Sequence, residues 1–194
     1  MKYTICLDKV VHSKFGDRTS GANIYFDANA LKFRYRPAKR VSTYVTHGVM
    51  GELSRLPDIF PQESVDQLIK LLDIKTVSEF VPIEDEYMIS KVALEYSTKE
   101  RQERGQIGWV DLQQIGLALD HVRKGKKTII ISNDSDILRT VKGLGKRLCY
   151  AEWGLRAFSV RRYIESQHAQ EFVGLGGEKR VEKFKEVEML YKVA

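Results

Sequence analysis

Two carboxylates follow a short apolar run in the second half of the chain. The stretch 128–138 opens with β-branched residues, breaks at Ser132-Asn133 and then presents Asp134 and Asp136. Such a run is typical of a buried parallel strand, and helical spacing resumes after the acids. We therefore expect both acids at the carboxyl edge of a sheet, where open α/β folds place their binding sites.

Three other acids occupy comparable positions. Asp27 ends a short apolar run, Glu52 lies on or beside the buried stripe of a short helix, and Asp111 opens a later helix on its inward face. Unpaired Glu is rarely buried, so Glu52 needs a partner. Asp120 falls on the opposite side of the later helix, at about 100° per residue, and is expected to face solvent.

Each acid has a structural explanation when it is taken alone. Asp is common at helix N-caps, and the helix dipole favours acids in the first turn. After the run at 128–131, the expected capping residue is Ser132 or Asn133.

Four acids at one sheet edge point to a divalent cation. Closely packed carboxylates repel and raise each other's pKa, and a hard cation removes that repulsion. Oxygen-only ligands favour Mg²⁺ or Mn²⁺ over zinc. A metal site beside basic surface suggests phosphodiester hydrolysis, in which the metal orients a water and stabilises the leaving oxygen.

Strands and helices alternate along the chain, which predicts an α/β fold with a parallel sheet covered on both faces. Segment 143–146 is predicted to be a loop, and residues 168–177, with three glycines, are predicted to be a linker. The predicted strands lie at 24–26, 43–47, 75–82, 128–131 and 147–151.

The length and composition bound the class of protein. A chain of 194 residues suits one domain with additional terminal segments. We expect an N-terminal extension over 1–22, a central domain over 23–167, and a linker with a charged helix or tail over 168–194. No run approaches the ~20 apolar residues of a membrane span, and the early charge argues against a secretory signal. A cytoplasmic protein without a membrane partner is expected.

Basic charge is concentrated shortly after Asp27. The net charge of +6 permits a nucleic-acid partner without establishing one. The cluster contains no acid, has Phe33 and Tyr35 interleaved, and is either a phosphate-contacting surface or a solvated face. Its members are Lys32, Arg34, Arg36, Lys39 and Arg40.

The order and spacing of these motifs resemble the PIN-domain family. The likeness covers roughly residues 24–165. The matching segments are Ile24-Tyr25-Phe26-Asp27-Ala28-Asn29-Ala30-Leu31, Tyr44-Val45-Thr46 leading to Gly51-Glu52-Leu53, Asp111 with the helix that follows it, and Ile129-Ile130-Ile131-Ser132-Asn133-Asp134-Ser135-Asp136-Ile137.

The resemblance implies a three-layer α/β/α fold with a central five-stranded parallel sheet. It implies a metal-dependent endoribonuclease that cleaves single-stranded RNA, with a homodimer and a protein regulator among the partners to consider. Asp27, Glu52, Asp111 and Asp134 would be catalytic acids that bind Mg²⁺ or Mn²⁺, and Asp136 would be an auxiliary catalytic acid.

Two alternatives remain open at this point. One is a non-catalytic RNA-binding or scaffold protein on the same fold, against which the complete set of acids argues. The other is a structure-specific DNA nuclease, for which the sequence contains no DNA-anchoring motif.

Overall fold

A computed structural model describes residues 21–31, 42–55, 66–67, 69–70, 73–77, 81–96, 107–147 and 154–189. Within these ranges, a parallel sheet is covered by helices on both faces. The strands are β1 (Asn23–Phe26), β2 (Ser42–Thr46), β3 (Ile74–Val77), β4 (Thr128–Ile131) and β5 (Leu155–Phe158). The helices are α1 (Ala28–Leu31), α2 (His47–Ser54), α3 (Ile83–Tyr96), α4 (Trp109–Arg123), α5 (Ser135–Arg147), α6 (Val160–Gln167), α7 (Ala169–Phe172) and α8 (Gly177–Met189).

All five strands are parallel, in the order β3-β2-β1-β4-β5. The predicted α/β class and the five-stranded parallel sheet are therefore confirmed. The chain builds the sheet outward from β1 to β3 and then returns to place β4 on the other side of β1. The strand order thus reverses between β1 and β4, which makes their carboxyl ends the topological switch point.

The two faces of the sheet carry separate cores, because successive strand side chains point to opposite faces. On one face, the side chains of Ile24 and Phe26 pack with α1, α2, α6, α7 and α8. Tyr25 and Ile130 pack with α3, α4 and α5 on the opposite face. The arrangement is consistent with three α/β/α layers. In the described part of the chain, no helix is both long and apolar enough to cross a membrane.

The last strand and the helix before it differ from the prediction. The sequence places the fifth strand at 147–151 and a loop at 143–146, whereas α5 continues to Arg147 and β5 is Leu155–Phe158; residues 148–153 lie outside the described ranges. A Cβ on Gly143 would lie 2.6 Å from Tyr96 Cδ2 and 2.7 Å from Val92 Cγ1. This glycine therefore permits close contact between α3 and α5 and does not mark a turn.

The described part of the C-terminal segment is helical and packs on α6. Phe172 and Val187 are buried in the core on that face of the sheet. The Glu165 carboxylate accepts hydrogen bonds from Arg161 on α6 and from Arg180 on α8. Burial raises the pKa of Glu165, but the two guanidinium groups outweigh it, and the net pKa is lowered. Segment 168–189 is thus joined to the sheet layer through α6, while the predicted domain boundaries remain predictions.

Candidate functional site

The switch point brings the ends of β1 and β4 side by side. Phe26 of β1 pairs with Ile131 of β4 at the last described position of the β1–β4 ladder. The Asp27 backbone N–H donates to the Ile131 carbonyl oxygen at 3.0 Å, so the pairing continues one residue past β1. Residues separated by about a hundred positions in sequence therefore meet at this edge.

Asp27 is buried at this edge and held by two hydrogen bonds. Its side chain is 5% exposed. Oδ1 accepts a hydrogen bond from the Ala28 N–H at 2.7 Å, and Oδ2 accepts one from the Ser132 hydroxyl at 2.7 Å. The backbone carbonyl of Asp27 also accepts from the amides of Ala30 and Leu31. Asp27 therefore has the expected role at a helix start, and its hydrogen bond to Ser132 also links it to the loop that follows β4.

The Ser132 hydroxyl connects the two principal acids. Ser132 is buried, and its Oγ accepts a hydrogen bond from the Asp134 N–H at 2.8 Å while donating to Asp27. The Asp134 Oδ1 in turn accepts from the Asp136 N–H at 2.6 Å. Asp134 therefore caps α5, and the expectation that Ser132 or Asn133 does so is wrong: the hydroxyl of Ser132 faces Asp27 instead.

Two asparagines fix the loop that carries Asp134. The Asn133 N–H donates to Asn29 Oδ1 at 2.8 Å, and Asn133 Oδ1 accepts from the Val160 N–H at 3.1 Å. The loop after β4 is thereby tied to α1 and to α6. The prediction did not assign these roles, although each asparagine follows a strand end within two or three residues, which is a signal for them.

Glu52 lies on α2, beside the buried stripe of that helix. The helix starts at His47, with the Thr46 hydroxyl accepting from the Val49 N–H at 3.2 Å as its N-cap. Val49 and Leu53 are fully buried and Glu52 is half-buried. The predicted position beside the apolar stripe is confirmed, but Glu52 is the sixth residue of α2 and not at its start.

Asp111 lies in the first turn of α4 and is half-buried, on the side of the helix that also carries Ile115. Asp120 lies on the other side and pairs with the exposed Lys124 at 2.6 Å. The two acids therefore lie on opposite sides of α4, as predicted, although Asp120 is half-buried like Asp111. The role of Asp111 as a site acid stays a prediction.

The first turns of α2 and α4 meet. A Cβ on Gly48 would lie 3.0 Å from Val110 Cγ2 and 3.1 Å from Gln113 Oε1. Gly48 follows the end of β2 by two residues, so α4 also starts at the carboxyl edge of the sheet. Asp111 is consequently at the same edge as Asp27 and Asp134.

The four acids do not form one group of metal ligands among the described residues. In the part of the chain that the structure describes, no three Asp, Glu, His or Cys side chains are placed so that they could hold a metal ion together. Asp27 and Asp134 are linked through Ser132, whereas Glu52 and Asp111 stand on neighbouring helices. Mg²⁺ in proteins commonly keeps several waters and takes one or two carboxylates, so an oxygen-only pair fits a hydrated cation of this kind.

Asp136 has a backbone role in this arrangement. It is half-buried, occupies the first turn of α5, and donates its N–H to Asp134. It thereby helps to orient the Asp134 carboxylate.

The predicted nucleic-acid-binding cluster lies outside the described residues. It begins directly after α1 and five residues beyond Asp27 in sequence. Its role in binding phosphates stays a prediction. The cluster consists of Lys32, Arg34, Arg36, Lys39 and Arg40.

A scan against known protein families finds no match, and a search of curated proteins finds none either. The resemblance to the PIN-domain family therefore rests on the order of the motifs, without an overall sequence match.

Proposed function

We propose that this protein is a PIN-like endoribonuclease that cleaves single-stranded RNA with the help of Mg²⁺ or Mn²⁺. The observation that carries the proposal is the Asp27–Ser132–Asp134 linkage at the topological switch point. Open α/β folds bind their ligands at this position, and hydrogen-bonded carboxylates are the ligands that hard divalent cations prefer.

Each side chain has a distinct part in the proposed chemistry. Asp27 and Asp134 bind the cation, Ser132 holds both acids at a fixed spacing, and Asp136 orients Asp134. Glu52 and Asp111 act through waters at the edge of the pair. The bound cation supplies the acidity that activates a water and neutralises charge on the phosphate.

The basic charge of the chain supports a polyanionic substrate. The net charge is +6, and the cluster from Lys32 to Arg40 follows the site acid Asp27 directly in sequence. Lys and Arg side chains at such a place would contact backbone phosphates, so binding would weaken as the salt concentration rises.

A cleavage assay with Mn²⁺ tests the proposal. The substrates are a mixed single-stranded RNA and a flap DNA, and the variants are Asp27→Asn and Asp134→Asn, with Asp120→Asn as the matched surface control. We expect RNA cleavage by the wild type and by the control, inhibition by EDTA, and a loss of about 100-fold or more in both site variants. Undiminished cleavage by both site variants would contradict the proposal, and cleavage of the flap DNA alone would favour a DNA nuclease.

One observation favours a non-catalytic alternative. The described residues contain no group of three acids that could hold a metal, as expected for a PIN-like protein that binds RNA without cutting it. That function is indicated if the wild type binds RNA with a steep salt dependence and cleaves none of it in Mn²⁺.

A further inference from the structure

One buried amide of α4 makes no hydrogen bond to any residue that the structure describes. Gln114 is 0% exposed, and neither its Nε2 nor its Oε1 has a partner among the described residues. Buried polar groups in native proteins are nearly always hydrogen-bonded, and those that are not call for an explanation such as a bound water, an ion or a functional role. A buried amide whose nitrogen and oxygen both lack a described hydrogen-bond partner is unusual.

Gln114 lies beside the proposed site acid Asp111 on α4. It lies one turn after Asp111 on α4, and residues three apart are neighbours on a helix surface. At about 100° per residue, Gln114 falls between Val110, which contacts the start of α2, and Ala118, which lies in the core. It therefore faces the interior beside Asp111.

The direction of helical side chains supports the same placement. A helical Cα–Cβ bond tilts toward the helix N-terminus, so a long side chain covers the preceding turn. The preceding turn of α4 carries Asp111 and meets Gly48 at the carboxyl edge of the sheet. The Gln114 side chain therefore extends along α4 toward the turn that carries Asp111.

We propose that Gln114 is a positioning residue of the acid site, whose amide hydrogen-bonds the waters that connect Asp111 to a bound divalent cation. The inference rests on the proposed function, because it requires a cation at this edge. It accounts for a buried amide whose nitrogen and oxygen both lack a partner among the described residues.

The substitution Gln114→Leu separates this role from a structural one. The leucine is similar in volume and has no polar atoms, so the melting temperature without metal should stay unchanged or rise. The affinity for Mn²⁺, measured as free Mn²⁺ by EPR titration, should fall about 10- to 100-fold, the loss typical of a residue that orients a metal site indirectly. Gln114→Met serves as a second apolar variant if the leucine does not fold.

Thr140→Val is the matched control. Thr140 is also fully buried, and its Oγ1 has no partner among the described residues, but it lies on α5 among the residues that pack against α3. Its removal should leave Mn²⁺ affinity unchanged. If the wild type binds Mn²⁺ and Gln114→Leu binds it equally well, this inference is overturned while the proposed function stands. If the wild type itself binds no Mn²⁺, both are overturned.

Discussion

In the described part of the chain, buried carboxylates occur in two regions with different recorded hydrogen bonds. Between the helices, Asp85 is 3% exposed. Its carboxylate accepts hydrogen bonds from the two terminal nitrogens of the Arg123 guanidinium, which joins α3 to α4. Glu165 is 4% exposed and accepts from guanidinium groups on α6 and α8. Both acids thus join two elements through an opposite charge, as structural ion pairs do.

At the carboxyl edge of the sheet, neutral groups donate to Asp27 and Asp134. Asp27 accepts from the Ala28 N–H and the Ser132 hydroxyl, and Asp134 accepts from the Asp136 N–H. Such bonds orient a carboxylate without cancelling its charge, which suits an acid that binds a cation. The comparison teaches that burial alone does not mark a site acid.

Replacing one acid in each region with asparagine should affect different properties, the cleavage rate in one case and the free energy of unfolding in the other. Asp27→Asn is expected to reduce RNA cleavage about 100-fold and to change the free energy of unfolding little, because an amide preserves the bond from Ala28. Asp85→Asn should lower the free energy of unfolding by about 2–3 kcal/mol and leave the cleavage rate of folded protein unchanged. Chemical denaturation and single-turnover kinetics measure the two quantities. Equal losses of stability in both variants would break the comparison.

The helical layer also holds a matched pair of glycines on α5. Gly143→Ala should cost about 1–3 kcal/mol, because the new Cβ would overlap Tyr96 and Val92. Gly145→Ala places its Cβ in open space and should stabilise the helix by about 0.5–1 kcal/mol. Thermal unfolding of the two variants checks the contact between α3 and α5, which is contradicted if both behave alike.

The smallest expected effect is the pH dependence of the C-terminal helix. The guanidinium groups lower the pKa of Glu165 below its ordinary value of 4.5. The contribution of this ion pair is therefore complete above that pH and is lost as the pH falls through the lowered pKa. We expect Glu165→Gln to be about 1 kcal/mol less stable than wild type at pH 7, and the difference to disappear in acid. A difference that is constant with pH would exclude the ion pair as its cause.

Much of the fold was predictable because the strands before the acids have clear patterns. Continuous β-branched runs such as 128–131 are typical of buried parallel strands, and the helix periodicity separated Asp111 from Asp120. The weaker strand β5 reads Leu155-Arg156-Ala157-Phe158, with two half-buried residues in the middle, whereas segment 147–151 is the more apolar. Local pattern therefore gave little sign of the described strand at Leu155–Phe158.

The site was less predictable because its geometry depends on contacts distant in sequence. The bond from Ser132 to Asp27 spans 105 residues, and it exists only because β4 lies beside β1. The burial of Gln114 likewise depends on how α4 is rotated against α2 and the sheet. No spacing rule along the chain reports either arrangement.

The most direct test of the account is the position of a bound metal. Crystals of the protein soaked in Mn²⁺ give an anomalous difference map in which the cation is located without assumptions about its ligands. The account predicts a peak within coordination distance of the Asp27 and Asp134 carboxylates, with waters between it and Asp111. A fully occupied peak elsewhere, or none at this edge at millimolar Mn²⁺, would contradict it.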